Sequence, residues 1–136
     1  MNFFSRVILG AIAIAALALP ASAGDSPIVG LWSMTVRDRY GQAFAVVWDE
    51  FTSDGRFLVK LVTRAGTENY YGVYRLVDGG TQVQSRFTDY EPKQLCTMVC
   101  SPITPVFPMN RTGLSPVRFI GTSTMYLGTD RYNRQR

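Results

Sequence analysis

The 136-residue chain contains no histidine. Neither a Ser-His-Asp nor a Cys-His catalytic arrangement can form without one, and zinc sites built on imidazole ligands are excluded as well. No glycine-rich loop follows a strand and opens a helix, so the usual phosphate-binding loop is also missing. Asp49 and Glu50 adjoin on a predicted strand and point to opposite faces, which prevents them from acting as a paired acid and base. We therefore predict a protein that is not an enzyme and that carries no metal or cofactor.

The chain also lacks a hydrophobic run long enough to span a membrane. Its longest uncharged apolar run, Val7–Leu19, has 13 residues, whereas a spanning helix needs roughly 20. Arg6 precedes this run, Pro20 ends it, and Ala21–Ala23 offers small residues to a signal peptidase. This pattern predicts a cleaved signal peptide at residues 1–23, a periplasmic or secreted protein, and no stable membrane insertion after cleavage.

A strong charge of either sign is missing from the rest of the chain. Residues 24–136 have the length of one ordinary domain. Without Arg6, the 14 basic residues become 13, against 10 acidic residues, so the net charge of this part is +3. Such a mild positive charge does not favour nucleic acid as a partner.

Apolar and polar side chains alternate along several short stretches of residues 24–136. This alternation is typical of strands with one buried face. The apolar members of the stretches are Trp32, Met34 and Val36; Phe57, Val59 and Leu61; Val83 and Phe87; Val117 and Phe119; Met125 and Leu127. Two further stretches, Ala43–Trp48 and Tyr70–Leu76, are apolar in both phases, which is typical of more fully buried strands.

Turn-forming residues separate these stretches at short intervals. They are Asp38–Gly41, Ser53–Gly55, Ala65–Gly66 and Asp78–Gly80. Such residues tolerate positive φ angles, and Asp-Gly pairs favour hairpins. We expect about five strands before residue 91 and one or two after residue 116. The predicted fold class is all-β, a small antiparallel meander that closes as a barrel or folds as a sandwich.

A proline-rich segment, residues 92–116, interrupts this regular succession of short strands and turns. It holds five of the seven prolines and many apolar residues. Long connections of this kind are uncommon in compact domains and are often functional. We expect a single domain over residues 24–136 in which this loop is a lid over a cavity, a docking strip for a partner, or a segment packed on the outer wall.

Two cysteines, Cys96 and Cys100, are the only ones in the chain. An oxidising compartment favours their pairing. Residues four apart on an extended strand are ~13 Å apart, but a disulfide needs Cα atoms within ~7 Å, so pairing requires a turn between them. We predict a structural disulfide. The alternatives are copper binding, with Met98 and Met109 as further soft ligands, and thiol exchange.

Two short motifs resemble signatures of the lipocalin family. Gly30-Leu31-Trp32 is similar to the Gly-x-Trp motif at the start of the first lipocalin strand, and Thr88-Asp89-Tyr90 is similar to the second signature, Thr-Asp-Tyr. The resemblance implies a small antiparallel barrel whose bottom is closed by Trp32. It also implies a late arginine that packs on this tryptophan, either Arg118 or Arg131.

The same resemblance implies a ligand cavity at the mouth of the barrel, although small barrels are as often filled by their own side chains. The candidate ligand-binding residues are Trp32, Trp48, Tyr71 and Phe87. The predicted function is an exported, non-enzymatic binding protein for a small apolar ligand. One alternative is a protein–protein interaction module, such as a periplasmic protease inhibitor. The other is a copper or thiol-redox carrier that acts through Cys96 and Cys100.

Overall fold

The structure is a computed structural model that describes residues 26–136. The predicted signal peptide at residues 1–23 lies outside the described residues. The described part forms ten strands and one short 3-10 turn, Asp78–Gly80. The strands are β1 (Gly30–Arg37), β2 (Ala43–Phe51), β3 (Arg56–Thr63), β4 (Gly66–Val77), β5 (Gln82–Glu91), β6 (Gln94–Cys96), β7 (Cys100–Pro102), β8 (Thr112–Ile120), β9 (Thr124–Leu127) and β10 (Asp130–Arg134). Between Ser26 and Arg136, no helix has the length and apolar character needed to cross a membrane.

Eight of the strands close into one antiparallel barrel. Their order around the barrel is β1-β10-β9-β8-β5-β4-β3-β2. The first and last strands form the closing seam, where Trp32 pairs with Arg134 and Ser33 pairs with Asn133. Strands β6 and β7 form a separate two-stranded hairpin. The all-β prediction is confirmed, and the meander closes as a barrel and not as a sandwich.

The turns between β1 and β5 lie where the sequence predicts them. Gly55 and Gly79 adopt positive φ angles of 85° and 67° in the two hairpin turns that contain Asp-Gly pairs. Two strands, β9 and β10, lie wholly after residue 116, as expected, but the sequence did not predict β6, β7 or the start of β8 within the proline-rich segment. Strand β8 already begins at Thr112, and β9 and β10 come after it, because Gly121 and Gly128 (both φ 61°) allow two further tight turns.

The alternating apolar side chains point into the barrel, as the sequence predicts. Val59 and Val83 are 5% and 2% exposed, and Phe119 packs against the same core. Aromatic rings extend this core: the ring centroid of Phe57 lies 5.9 Å from that of Phe51 and 5.0 Å from that of Phe87. Strand alternation therefore produces one continuous apolar interior.

Trp32 closes one end of this interior. Its side chain is completely buried, and its indole N–H donates a hydrogen bond to the carbonyl of Ile28 at 2.8 Å. The guanidinium carbon of Arg134 lies 4.2 Å from the ring centroid. Arg134 also donates hydrogen bonds to the carbonyls of Pro27 and Val29. These hydrogen bonds hold β10 against the segment that precedes β1.

The arginine that covers Trp32 is neither of the two that the resemblance suggested. The guanidinium of Arg118 lies over the ring of Tyr126, with its carbon 4.7 Å from the centroid. Arg118 and Arg131 are both exposed because each alternates with an inward residue, Val117 and Tyr132 respectively. Arg134 is two residues beyond Tyr132, so it lies on the inward side of β10, directly opposite Trp32 in the closing seam.

Gly72, on β4, is a place where the barrel wall leaves no room for a side chain. A Cβ atom there would lie 2.5 Å from the carbonyl oxygen of Arg86 and 2.5 Å from the ring of Phe57.

We expect Gly72→Ala to lower the free energy of unfolding by about 1–3 kcal/mol through overpacking, as measured by urea denaturation. Gly113→Ala is the matched control on β8, because nothing lies within 4 Å of its Cβ position. Equal losses in the two variants would contradict this packing argument.

Candidate functional site

The barrel interior is not completely filled. A cavity of about 230 Å³ lies between the inner faces of β2, β3, β5 and the last three strands. Its apolar walls are formed by Val47, Phe51, Phe57, Val59, Val83, Phe87, Phe107 and Leu127. Its polar groups are the side chains of Asp49, Ser85, Ser115 and Tyr132. The cavity is thus apolar over most of its surface, with one carboxyl group and three hydroxyl groups.

The strand register explains why these side chains meet. In β2 and β3, Asp49 pairs with Val59, and Phe51 pairs with Phe57. In an antiparallel sheet, directly paired residues point to the same face. All four are buried, so the inward phase of β2 carries a carboxylic acid into an otherwise apolar stripe.

Asp49 is the unusual group in this cavity. The residue is only 4% exposed, and its Oδ1 atom has no hydrogen-bond partner among the described residues. Burial raises the pKa of Asp49 to about 7. The nearby Tyr132 hydroxyl opposes part of this increase, and the negative charge of Asp130 adds to it. Near neutral pH, a small change in the surroundings of this carboxyl group is therefore enough to change its charge.

Tyr132, on β10, places its hydroxyl group near this carboxyl group. Burial is the main cause that raises the pKa of Tyr132 well above its ordinary value, and the negative charge of Asp49 adds to it. The phenol therefore keeps its proton across the physiological range. It can donate one hydrogen bond and accept another.

The proline-rich segment contributes Phe107 to the cavity wall. The ring of Phe107 stacks on Phe87, with centroids 4.7 Å apart, and meets Tyr70 edge to face at 4.8 Å. The backbone N–H of Val106 donates to the Tyr70 hydroxyl at 3.1 Å, and the N–H of Asn110 donates to the carbonyl of Phe87 at 2.8 Å. This part of the segment packs inward on the barrel and not on its outer wall.

The other part of the segment forms the exposed β6–β7 hairpin. Cys96 and Cys100 pair across its end with Cα atoms 4.0 Å apart, which confirms the predicted disulfide and the turn that it requires. Copper binding by thiolates needs free sulfurs, and both are in this bond. At the tip, Met98 is fully exposed and Val99 is 75% exposed.

The four predicted ligand-binding residues do not lie together. Phe87 lines the cavity, whereas Trp32 lies at the closed end beneath Arg134. Trp48 lies in a groove on the outer face of the barrel, and Tyr71 is exposed, with its hydroxyl bonded to Glu91. Trp48 and Tyr71 therefore do not line the interior cavity, and their part in ligand binding stays a prediction. Both belong to stretches that are apolar in both phases, so alternation did not indicate which residues face inward.

Sequence reasoning did not identify Asp49, Tyr132 or Phe107 as site residues. A signal was present for one of them. Asp49 shares its strand phase with Val47 and Phe51, and a single acid within an apolar stripe indicates a buried carboxyl group. Tyr132 and Phe107 reach the cavity only through barrel closure and loop packing.

Comparison with protein-family models, curated proteins and solved structures finds no match for this chain.

Proposed function

We propose that this chain is an exported, non-enzymatic, lipocalin-like protein that binds a small, mostly apolar ligand inside its barrel. The observation that carries the proposal is the aromatic-lined cavity that holds an unpartnered oxygen of Asp49. Leaving a buried polar group unsatisfied costs about 1–3 kcal/mol. A core that served stability alone would place an aliphatic side chain there.

The size of the cavity limits the size of the ligand. An apolar cavity of about 150 Å³ is large enough to hold a benzene molecule. The barrel offers about 230 Å³, which suits one ring with a short side chain. Phe107 then acts as part of a lid, because it belongs to the long connection before β8 and forms part of the cavity wall.

Two further observations support the lipocalin-like and exported parts of the proposal. The barrel has eight antiparallel strands, and Trp32 of the Gly-x-Trp motif is covered by a late arginine, Arg134. The leader pattern of residues 1–23 and the Cys96–Cys100 disulfide both agree with a periplasmic or secreted protein.

Binding of a one-ring probe tests the proposal. We expect ethylbenzene to bind the purified protein, shift the NMR resonances of Val59 and Val83, and raise the melting temperature. Val59→Phe places a ring in the cavity and should abolish binding. Val62→Phe is the matched control on the same strand: Val62 lines the outer groove, so this change should leave binding intact. Saturating ethylbenzene without any shift of cavity resonances would refute the proposal.

One observation favours a second function, that of a protein-interaction module. The disulfide-closed hairpin presents Met98 and Val99 to solvent, and exposed apolar groups of this kind are common at partner surfaces. The backbone N–H of Thr97 donates a hydrogen bond to the carbonyl of Val99, so the tip of the hairpin is a tight turn. A tight turn does not have the extended conformation of a protease substrate. Native mass spectrometry of the exported protein separates the two functions. A retained small molecule supports the cavity, and a retained protein supports the hairpin.

A further inference from the structure

We propose that the ligand is a small apolar amine whose ammonium group pairs with Asp49. This inference rests on the proposed ligand-binding function and specifies its chemistry.

The polar groups of the cavity favour a cation. Asp49 is the only carboxylic acid among the described residues that line the cavity, and no lysine or arginine lines it. When Asp49 is ionised, nothing on the cavity wall neutralises it. An ammonium ion would supply the missing charge and donate a hydrogen bond to the free Oδ1 atom. Ser85 and Ser115 line the same cavity, so their hydroxyl oxygens are further acceptors for a ligand N–H group.

The aromatic walls favour the same ligand. Phe51, Phe57, Phe87 and Phe107 all line the cavity. The faces of such rings attract cations, and the attraction is greater where water is excluded. The apolar body of an amine would lie against the apolar side chains that form the rest of the cavity wall. An anionic ligand such as a carboxylate would be repelled by Asp49, so fatty-acid-like ligands are disfavoured.

The pairing makes affinity depend on pH in one direction. Strand β10 places Tyr132 and Asp130 near Asp49, whereas its paired neighbours on β1 and β3, Trp32 and Val59, carry no titratable group. Burial holds the pKa of Asp49 at about 7 in the empty barrel, so an ammonium ligand has to displace a proton below that pH. Affinity should therefore increase about tenfold between pH 6 and pH 8. A neutral carbonyl ligand, which accepts a hydrogen bond from the protonated acid, would show the opposite trend.

Benzylamine and ethylbenzene form a matched pair of probes, because they differ only in an ammonium group in place of a methyl group. At pH 8, we expect the wild-type protein to bind benzylamine at least about tenfold more tightly than ethylbenzene. At pH 6, this preference should shrink about tenfold. Asp49→Asn should abolish the preference and still bind ethylbenzene. Asp130→Asn changes an exposed acid outside the cavity wall and should largely retain the preference.

The outcomes distinguish this inference from the proposed function. Binding of ethylbenzene without tighter binding of benzylamine at pH 8 overturns the amine assignment and leaves the ligand-binding function standing. Failure of both probes overturns both. If Asp49→Asn does not fold, the wild-type protein still decides the question. Benzylamine affinity that is equal at pH 6 and pH 8, or higher at pH 6, overturns the assignment.

Discussion

Replacing Trp32 by alanine is expected to lower the free energy of unfolding by about 3–5 kcal/mol. The indole is completely buried, and its removal leaves a large void at the closed end of the barrel. The hydrogen bond to the carbonyl of Ile28 is lost at the same time. Arg134 loses the ring over which its guanidinium lies. Urea denaturation, followed by far-ultraviolet circular dichroism, measures the change.

The second tryptophan provides the control. Trp48 lies half-buried in a groove on the outer face, where solvent replaces part of the lost contact. We expect Trp48→Ala to cost about 1 kcal/mol or less. Equal destabilisation by the two substitutions would contradict the assignment of Trp32 as the residue that closes the barrel.

The stability of the protein is expected to fall by about 4 kcal/mol as the pH rises from 4 to 8. The cause is Asp49, whose pKa rises from 3.8 in the exposed state to about 7 in the folded barrel. Between these two values, the folded chain holds a proton that the unfolded chain has released. The favourable contribution of the protonated acid is complete below about pH 4 and is lost as the pH passes 7. Urea denaturation at several pH values measures this fall.

Asp49→Asn is the control for this pH dependence, because an amide does not titrate. The variant should unfold at nearly the same urea concentration throughout this pH range. The exposed acids Asp54 and Asp89 do not interfere. Hydrogen bonding to Thr52 and Lys93, respectively, lowers their pKa values, so they titrate below the range examined. A fall in stability that persists in Asp49→Asn would assign the effect to another group.

The strands and most of the turns could be predicted because their signals are local. The alternation of Phe57, Val59 and Leu61 indicates a strand with one buried face whatever its neighbours are. The glycines of the Asp-Gly pairs, Gly55 and Gly79, adopt the positive φ angles that their lack of a Cβ atom allows. The Cys96–Cys100 pairing could be expected because an oxidising compartment favours disulfides. The spacing of the two residues added that a turn must lie between them.

Whether the side chains of Trp48 and Tyr71 point into or out of the barrel could not be predicted in the same way. Each lies in a stretch where both strand phases are apolar, so hydrophobic pattern does not distinguish the inner face from the outer face. Contact with the neighbouring strands decides it. The late arginine is a similar case: Arg118, Arg131 and Arg134 are all basic residues near the chain end, and only the closing seam places Arg134 against Trp32.

By itself, the sequence determined the all-β class and the alternation of inner and outer side chains. It also favoured the disulfide, and the resemblance of Gly30-Leu31-Trp32 to a lipocalin motif suggested that Trp32 closes one end of the barrel. Only the tertiary structure decided that the barrel keeps a cavity, that Asp49 and Tyr132 meet inside it, and that Phe107 forms part of its wall. The physical reason is the distance along the chain over which each kind of interaction acts. Alternation and turn preference act between neighbours along the chain, whereas a cavity depends on barrel closure, which brings together residues that are distant in sequence.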